Sequence, residues 1–257
     1  MNAFDSLAAD YDTAFTQTPI ASHLRQRTHA SLTALIRPGD HILELGCGTG
    51  EDAVFAASLG AHVVAADAST AMLALAARKA GSADIHFIHL DLNHLPDAFT
   101  MPLFDGVFSN FGPVNCVSDR AALAAWLHQH TAPGAFVALG VMPPLCAWEF
   151  LWHAAHRQWS TATRRLRVSS FWPDGASAPV EVRCPSPSRL KRDFAPYFQM
   201  ETVMPLGVLL PHTAAYPVVI RRPRMLRTLL KWDAATASMP WLANFADHYW
   251  IVFRRSA

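Results

Sequence analysis

The chain predicts an α/β fold built on a doubly wound parallel sheet. Three observations predict it. Apolar runs of five or six residues recur between stretches of helical spacing; the first, His41–Leu45, breaks into glycines at alternate positions, Gly46, Gly48 and Gly50; and the second, His62–Asp67, ends on an acid. Strands that alternate with helices of this length pair in parallel and place helices on both faces of the sheet. At 257 residues the chain is long enough for one such domain, residues 1–257, with an elaboration.

Each element has its own warrant. Phe4, Leu7, Ala8 and Tyr11 recur at helical spacing and predict an amphipathic helix over Phe4–Phe15. A second helix over Ile20–Ile36 halts at Pro38-Gly39. After the first strand, Glu51-Asp52 place two acids where a helix N-terminus favours them. Ser69 is a good N-cap for a helix over Thr70–Ala80. Ile85–Leu90 and Phe104–Ser109 read as the third and fourth strands. Ser118-Asp119 cap a helix ending near His130, Pro133-Gly134 turns the chain, and Ala135–Val141 is the fifth strand.

From Pro143 to Tyr197 the rhythm breaks. Trp148, Leu151, Trp152, Ala155, Trp159 and Leu166 predict one long aromatic-faced helix, followed by a turn at Phe171–Gly175 and an extended, irregular stretch over Glu181–Pro187. Gln199–Leu210 reads as a sixth strand, Arg221–Ala243 as a helix with a proline break, and His248–Phe253 as a final strand.

The glycine loop carries the chemistry. A strand must turn sharply into a helix while leaving its backbone bare for a ligand, and glycine permits both. The spacing is G-x-G-x-G, not the G-x-G-x-x-G of dinucleotide enzymes, and Glu44 stands two residues before the first glycine. A carboxylate there repels a pyrophosphate and suits a cationic amino acid moiety. Asp67 is placed to accept from two ribose hydroxyls. Taken together, strand, Glu44-Leu-Gly-Cys-Gly-Thr-Gly50, helix, strand and Asp67 resemble the class I S-adenosylmethionine (SAM) dependent methyltransferases. Phe4-Asp-Ser-Leu-Ala-Ala-Asp-Tyr-Asp12 is similar to the segment that precedes the core in the ubiquinone/menaquinone type and related small-molecule enzymes.

The resemblance spans residues 1–142 and the last strand, and it implies more than the residues do alone. It implies a Rossmann-like, seven-stranded, mostly parallel sheet whose last strand inserts antiparallel between the fifth and sixth. It implies lid helices at 1–37, a SAM-binding core at 38–142, substrate-covering inserts at 143–197 and 211–240, and the final strand within 241–257. As cofactor residues it implies Glu44, Gly46, Cys47, Gly48 and Gly50 around the methionine moiety and Asp67 on the ribose. Ala68, Met72, Asp91 and Leu92 would lie around the adenine, with Asn110 and Phe111 where sulfonium and acceptor meet. Met72 can equally be core, and Asp91 a loop acid or cap. Amino methyltransferases of DNA bases or glutamine carry N/D-P-P-Y/F at that last position; here it reads Asn110-Phe-Gly-Pro.

Composition bounds the rest. Hydrophobic residues make up 51% and charged residues 16%, which excludes a disordered chain. The start lacks a basic region leading into an apolar one, and the longest apolar run, Pro133–Trp152, is broken by Pro143-Pro144 and Glu149, so neither a signal peptide nor a membrane span is expected. Four dispersed cysteines argue for a reducing cytoplasm and against a disulfide framework or zinc site; no metal is expected, and Cys47 reads as a packing residue, not a nucleophile. Residues 1–120 hold 13 acids and 6 bases, residues 121–257 hold 7 and 15, with arginines at 157, 164, 165 and 167 and again at 221, 222, 224 and 227. A basic half can steer an anionic partner or be a solvated face.

The expected function is methyl transfer from SAM to a small, partly apolar metabolite. Trp148, Trp152, Trp159 and Trp172 supply either an aromatic pocket or the core of the insert. Alternatives are an RNA or protein methyltransferase using the arginines, and a non-catalytic SAM-binding subunit. Nucleic acid is not an expected partner; a second copy of the chain is an admissible one. No catalytic base is assigned, and His212, His153 and Tyr11 are its candidates.

Overall fold

The computed structural model describes residues 4–171, 179–211 and 216–256. Strands β1 (His41–Leu45), β2 (His62–Asp67), β3 (Ile85–His89), β4 (Phe104–Ser109), β5 (Thr131–Val141), β8 (Phe198–Leu206) and β9 (His248–Arg255) form one sheet, with β6 (Ser169–Phe171) and β7 (Val180–Val182) a separate antiparallel pair. The order is β3-β2-β1-β4-β5-β9-β8. The first five strands are parallel, and β9 runs antiparallel between β5 and β8, as the resemblance implied.

Alternation along each strand divides the core in two. Leu43, Leu45, Val107, Val137, Leu139, Ile251 and Phe253 face α4 (Arg120–His130) and α7 (Pro187–Phe194), where Leu127, Leu190 and Phe194 are buried. Ile42, Phe108, Phe136, Ala138, Trp250 and Val252 face α1 (Pro19–Leu35) and α2 (Glu51–Ser58), through Leu24, Leu32, Ala53 and Ala56. Phe194 stacks on Phe253 at 4.9 Å between centroids, and each such fully buried ring contributes about 1.5–3 kcal/mol relative to an exposed one. Thr18 caps α1 and Ser69 caps α3 (Thr70–Ala80), each by accepting a backbone N–H.

Several predicted elements differ from the structure. The segment Phe4–Phe15 is not one α-helix but a 3-10 turn (Asp5–Asp10) followed by a π-helical turn (Asp12–Thr16). Its acids are drawn to the core instead: Asp5 accepts from Ser69 Oγ at 2.6 Å, and Asp12 from Thr49 Oγ1 at 2.6 Å. β5 begins at Thr131, before Pro133-Gly134, because Thr131 pairs with Phe104 ahead of a register shift.

The long aromatic helix is broken into α5 (Ala147–Ala155), α6 (Trp159–Ala162) and a 3-10 turn (Arg164–Leu166). Glu149 binds both Arg164 and Arg165, the latter at 2.7 Å, whereas residues 15 apart in a straight helix stand about 22 Å apart. The reversal turns on Arg157, which adopts φ 59°. Helix α7 starts within the end of the stretch read as irregular, where Ser186 caps it and Pro187 opens it. The Arg221–Ala243 helix stops at Ala235 in α9 (Pro223–Ala235), after the short α8 (Tyr216–Ile220), and continues as 3-10 turns at Thr236–Ser238 and Pro240–Asn244. Among the described residues no helix is long and apolar enough to cross a membrane.

Candidate active site

The carboxyl ends of β1, β2, β4 and β5 lie on one edge of the sheet, the edge at which open α/β sheets bind ligands. Gly46, Gly48 and Gly50 turn β1 into α2 with φ 71°, 52° and 81°. A side chain at Gly46 would collide with Pro113 at 2.3 Å, so this glycine serves packing. One at Gly48 would meet nothing nearer than the Tyr11 ring, 4.0 Å away, so it opens to the ligand face.

Asp67 ties the tip of β2 to this loop. Oδ2 accepts from Gly48 N and Oδ1 from Ser69 N, each at 2.8 Å. Burial pushes the Asp67 carboxyl up against the opposing pull of those amides. Beneath the loop sits a buried polar cluster. Asp52 binds Arg25, His29 Nε2 at 2.6 Å and Asn110 Nδ2 at 3.2 Å; Asn110 Nδ2 also donates to Thr28 Oγ1 at 2.9 Å. Burial alone would raise Asp52, but Arg25 and His29 hold it below the ordinary carboxylate range. Among the described residues Glu44 forms no ion pair and its Oε2 has no hydrogen-bond partner; it is 2% exposed, and burial with Asp52 and Asp67 nearby pushes its carboxyl well up against the pull of Arg25.

The tip of β4 is strained. Phe111 takes φ 54°, a conformation that costs a bulky residue about 1–3 kcal/mol and recurs at functional sites. Its ring receives Arg25 at 4.9 Å and the edge of His248 at 5.7 Å. Asn115 braces the tip: wholly buried, it bonds Met142 N and O and Arg183 O.

The expected residues separate accordingly. Glu44, Gly48, Asp67, Asn110 and Phe111 converge on this edge, and Ala68 lies half-buried beside Asp67. Met72 is buried under α3 in the core. Asp91 is half-engaged by its own loop, accepting from Asn93 N at 2.9 Å and facing His94 Nδ1 at 2.8 Å, with Leu92 next to it. Cys47 is buried and its thiol is pushed far up by burial, as expected of a packing residue.

Tyr11 covers the loop, and burial raises its phenol, which opposes a role as base. His153 lies within the insert, bonded to Gln158 Oε1 at 2.6 Å. His212 and Trp172 lie outside the described residues. Trp159 is 60% exposed, whereas Trp148 and Trp152 are half-buried. Sequence reasoning missed Arg25, Thr28 and His29, which look like surface residues of an amphipathic helix, and also Asp52, read only as a helix-terminus acid.

A strand-loop-helix of this geometry, an acid at the tip of the next strand and a seven-stranded sheet with this order make up the fold of the class I SAM-dependent methyltransferases. Residues 42–134 match the family model described as a methyltransferase domain. Two curated relatives are a demethylmenaquinone methyltransferase of Clavibacter sepedonicus, 36% identical over 121 residues (47% of this chain, 49% of that protein), and the ubiquinone/menaquinone biosynthesis C-methyltransferase UbiE of Coxiella burnetii, 32% over 145 residues (54% and 57%). The chain thus spans about half the length of the curated relatives it matches. Among solved structures, a SAM-dependent methyltransferase from Mesorhizobium loti aligns with TM-score 0.56 and 20% identity over 88% of this chain and 96% of that one. The CcbJ methyltransferase of Streptomyces caelestis aligns with TM-score 0.62 and 16% identity over 99% and 98%.

Proposed function

We infer that the protein transfers a methyl group from SAM to a small, partly apolar acceptor of the hydroxy-aromatic or quinone class. The observation that carries the reading is Glu44: a buried carboxyl at the glycine loop whose Oε2 has no hydrogen-bond partner among the described residues, with the charges of Asp52 and Asp67 acting on it. Such a group fits a cationic ligand, and SAM is a cation at both its ammonium and its sulfonium. Asp67 would hold the ribose, Gly48 would let the ligand lie against the backbone, and Ala68, Asp91 and Leu92 would flank the adenine. Bound SAM supplies an already activated methyl group, so the chain need only align the acceptor, exclude water and take up a proton.

The acceptor class follows the relatives that act on demethylmenaquinone and the apolar Phe111 at the tip of β4. The macromolecular reading loses support because Arg164 and Arg165 are spent on Glu149 and Asp247. A cytoplasmic location is part of this proposal.

Incubation with methyl-labelled SAM and cell extract tests the reading; label should enter the low-molecular-weight fraction, and label in RNA or protein would overturn it. Asp67→Ala should weaken SAM binding by about 10- to 100-fold, the worth of one or two charge-assisted hydrogen bonds. The protein should stay folded, and unchanged affinity in calorimetry would remove Asp67 from the site.

A further inference from the structure

We propose that His248, oriented by Asp247, is the proton acceptor for the hydroxyl of the methyl acceptor; the proposal rests on the methyl-transfer reading above. His248 opens β9. Because β9 runs antiparallel to β5, with Tyr249 opposite Val141, its first residue lies at the edge where β1, β4 and β5 end. There the imidazole meets the Phe111 ring edge-to-face, at 5.7 Å and 85°. No other histidine whose side chain is described contacts the tip of β4 through a ring.

The pair has the geometry of an oriented base. His248 Nδ1 stands 3.0 Å from Asp247 Oδ2, which assigns the proton to Nδ1 and leaves the Nε2 lone pair free. Among the described residues Nε2 has no hydrogen-bond partner, and the side chain is 13% exposed, so it is reachable.

Asp247 is itself immobilised. Arg165 NH2 donates to Oδ1 at 2.8 Å and Arg165 NH1 to the Asp247 carbonyl at 2.7 Å, while Arg165 Nε donates to Glu149 at 2.7 Å. Arg165 and Glu149 are 9% and 2% exposed. Burial would raise the Asp247 carboxyl, but His248 and Arg165 hold it far below the ordinary range, so it is an anion. The charged groups about the imidazole are therefore Asp247 on its own chain segment, Arg165 and Glu149 of the insert, and Arg25 of α1 across the Phe111 ring. The insert, which sequence reasoning assigned to substrate recognition, here supplies the brace for a dyad.

The step balances. The acceptor O–H breaks and its proton passes to Nε2 as the acceptor takes the methyl group; the methyl–sulfur bond breaks and its electron pair stays on sulfur, neutralising it. The positive charge lost from sulfur reappears on an imidazolium facing the Asp247 carboxylate.

The test uses His248→Gln and Asp247→Asn in the full chain, with three readouts. Imidazole nitrogen NMR should show the Nδ1–H tautomer for His248 in the wild type and a mixture in Asp247→Asn. Calorimetry should give unchanged SAM affinity for His248→Gln, which also certifies its fold. Transfer of label from SAM to 1,4-dihydroxynaphthalene, and to the small-molecule fraction of cell extract, should fall about 10²–10⁴-fold in His248→Gln and lose the acid limb of its pH profile.

A Gln variant that keeps the wild-type rate, or an Nε2–H tautomer in the wild type, overturns the proposal. If the wild type binds SAM but labels neither acceptor, the tautomer alone decides. A wild type that neither binds SAM nor labels any acceptor overturns the methyl-transfer reading instead, and the proposal with it.

Discussion

Glu44 stores free energy that only a ligand can recover. Its carboxyl is raised above the unfolded value by burial and by Asp52 and Asp67. A group raised in this sense stabilises the fold below the ordinary glutamate pKa, near 4.3, and loses that contribution as pH rises through the shifted value. At pH 8 the buried carboxyl, whose Oε2 has no hydrogen-bond partner among the described residues, is therefore a burden of about 1–3 kcal/mol. Glu44→Gln keeps the shape and removes the charge. We expect it to melt a few degrees above wild type at pH 8, with the advantage vanishing toward pH 4, while SAM affinity falls at least tenfold. Thermal scans across pH together with calorimetry check both halves. A variant less stable at pH 8 would mean that Glu44 is satisfied in the free protein.

At the scale of the element, the segment over the glycine loop is held by polar bonds because it has little core of its own. Only Ala8 and Thr16 are buried in its two short turns. Lys79 joins Asp12 at 2.7 Å, Glu51 at 3.1 Å and Thr49 at 3.1 Å, which pins the segment to α2 and α3. Lys79 and Asp12 are each 27% exposed, so the pair is worth about 0–1 kcal/mol to the whole fold yet is a large share of what holds the segment. Lys79→Met should leave the melting temperature within about 2 °C, speed amide exchange over residues 5–16, and make exchange there insensitive to salt.

This is also where the sequence stopped being legible. The seven strands could be read because Gly, Pro or Asp bounds most of the apolar runs, and the glycine loop because its spacing is set by local backbone geometry. The fold-back of α5 and α6 could not, since it depends on Arg165 finding Glu149 and Asp247 across a turn that no local residue announces. Arg25 and His29 were unreadable for a related reason: their partner Asp52 lies on another helix. The Asp247-His248 dyad was in plain view as the start of the last strand, but only the strand order brings it beside Phe111.

Across the whole molecule, distant parts of the chain are joined by ion pairs of very different worth. Arg254 and Glu201 bond on the surface, each 38% exposed, and solvent screens them. Asp233 of α9 is wholly buried and carries a long-range junction: it takes Arg27 of α1 at 2.9 Å and the Leu209 amide at 3.0 Å, while Arg27 also donates to Pro205 O at 2.9 Å. Arg27 and the Leu209 amide thus meet at one carboxylate, and Arg27 reaches on to Pro205 O, which fastens α1, the end of β8 and α9 together. Removing one partner of a buried pair strands the other, at about 3–5 kcal/mol, because Arg27 then keeps its charge without its counter-ion. Asp233→Ala should therefore lower the urea midpoint sharply with an unchanged slope, whereas Glu201→Ala should shift it by less than about 1 kcal/mol equivalent. A small effect of Asp233→Ala would mean that α9 is attached by its apolar side alone, through Leu226, Leu229 and Leu230.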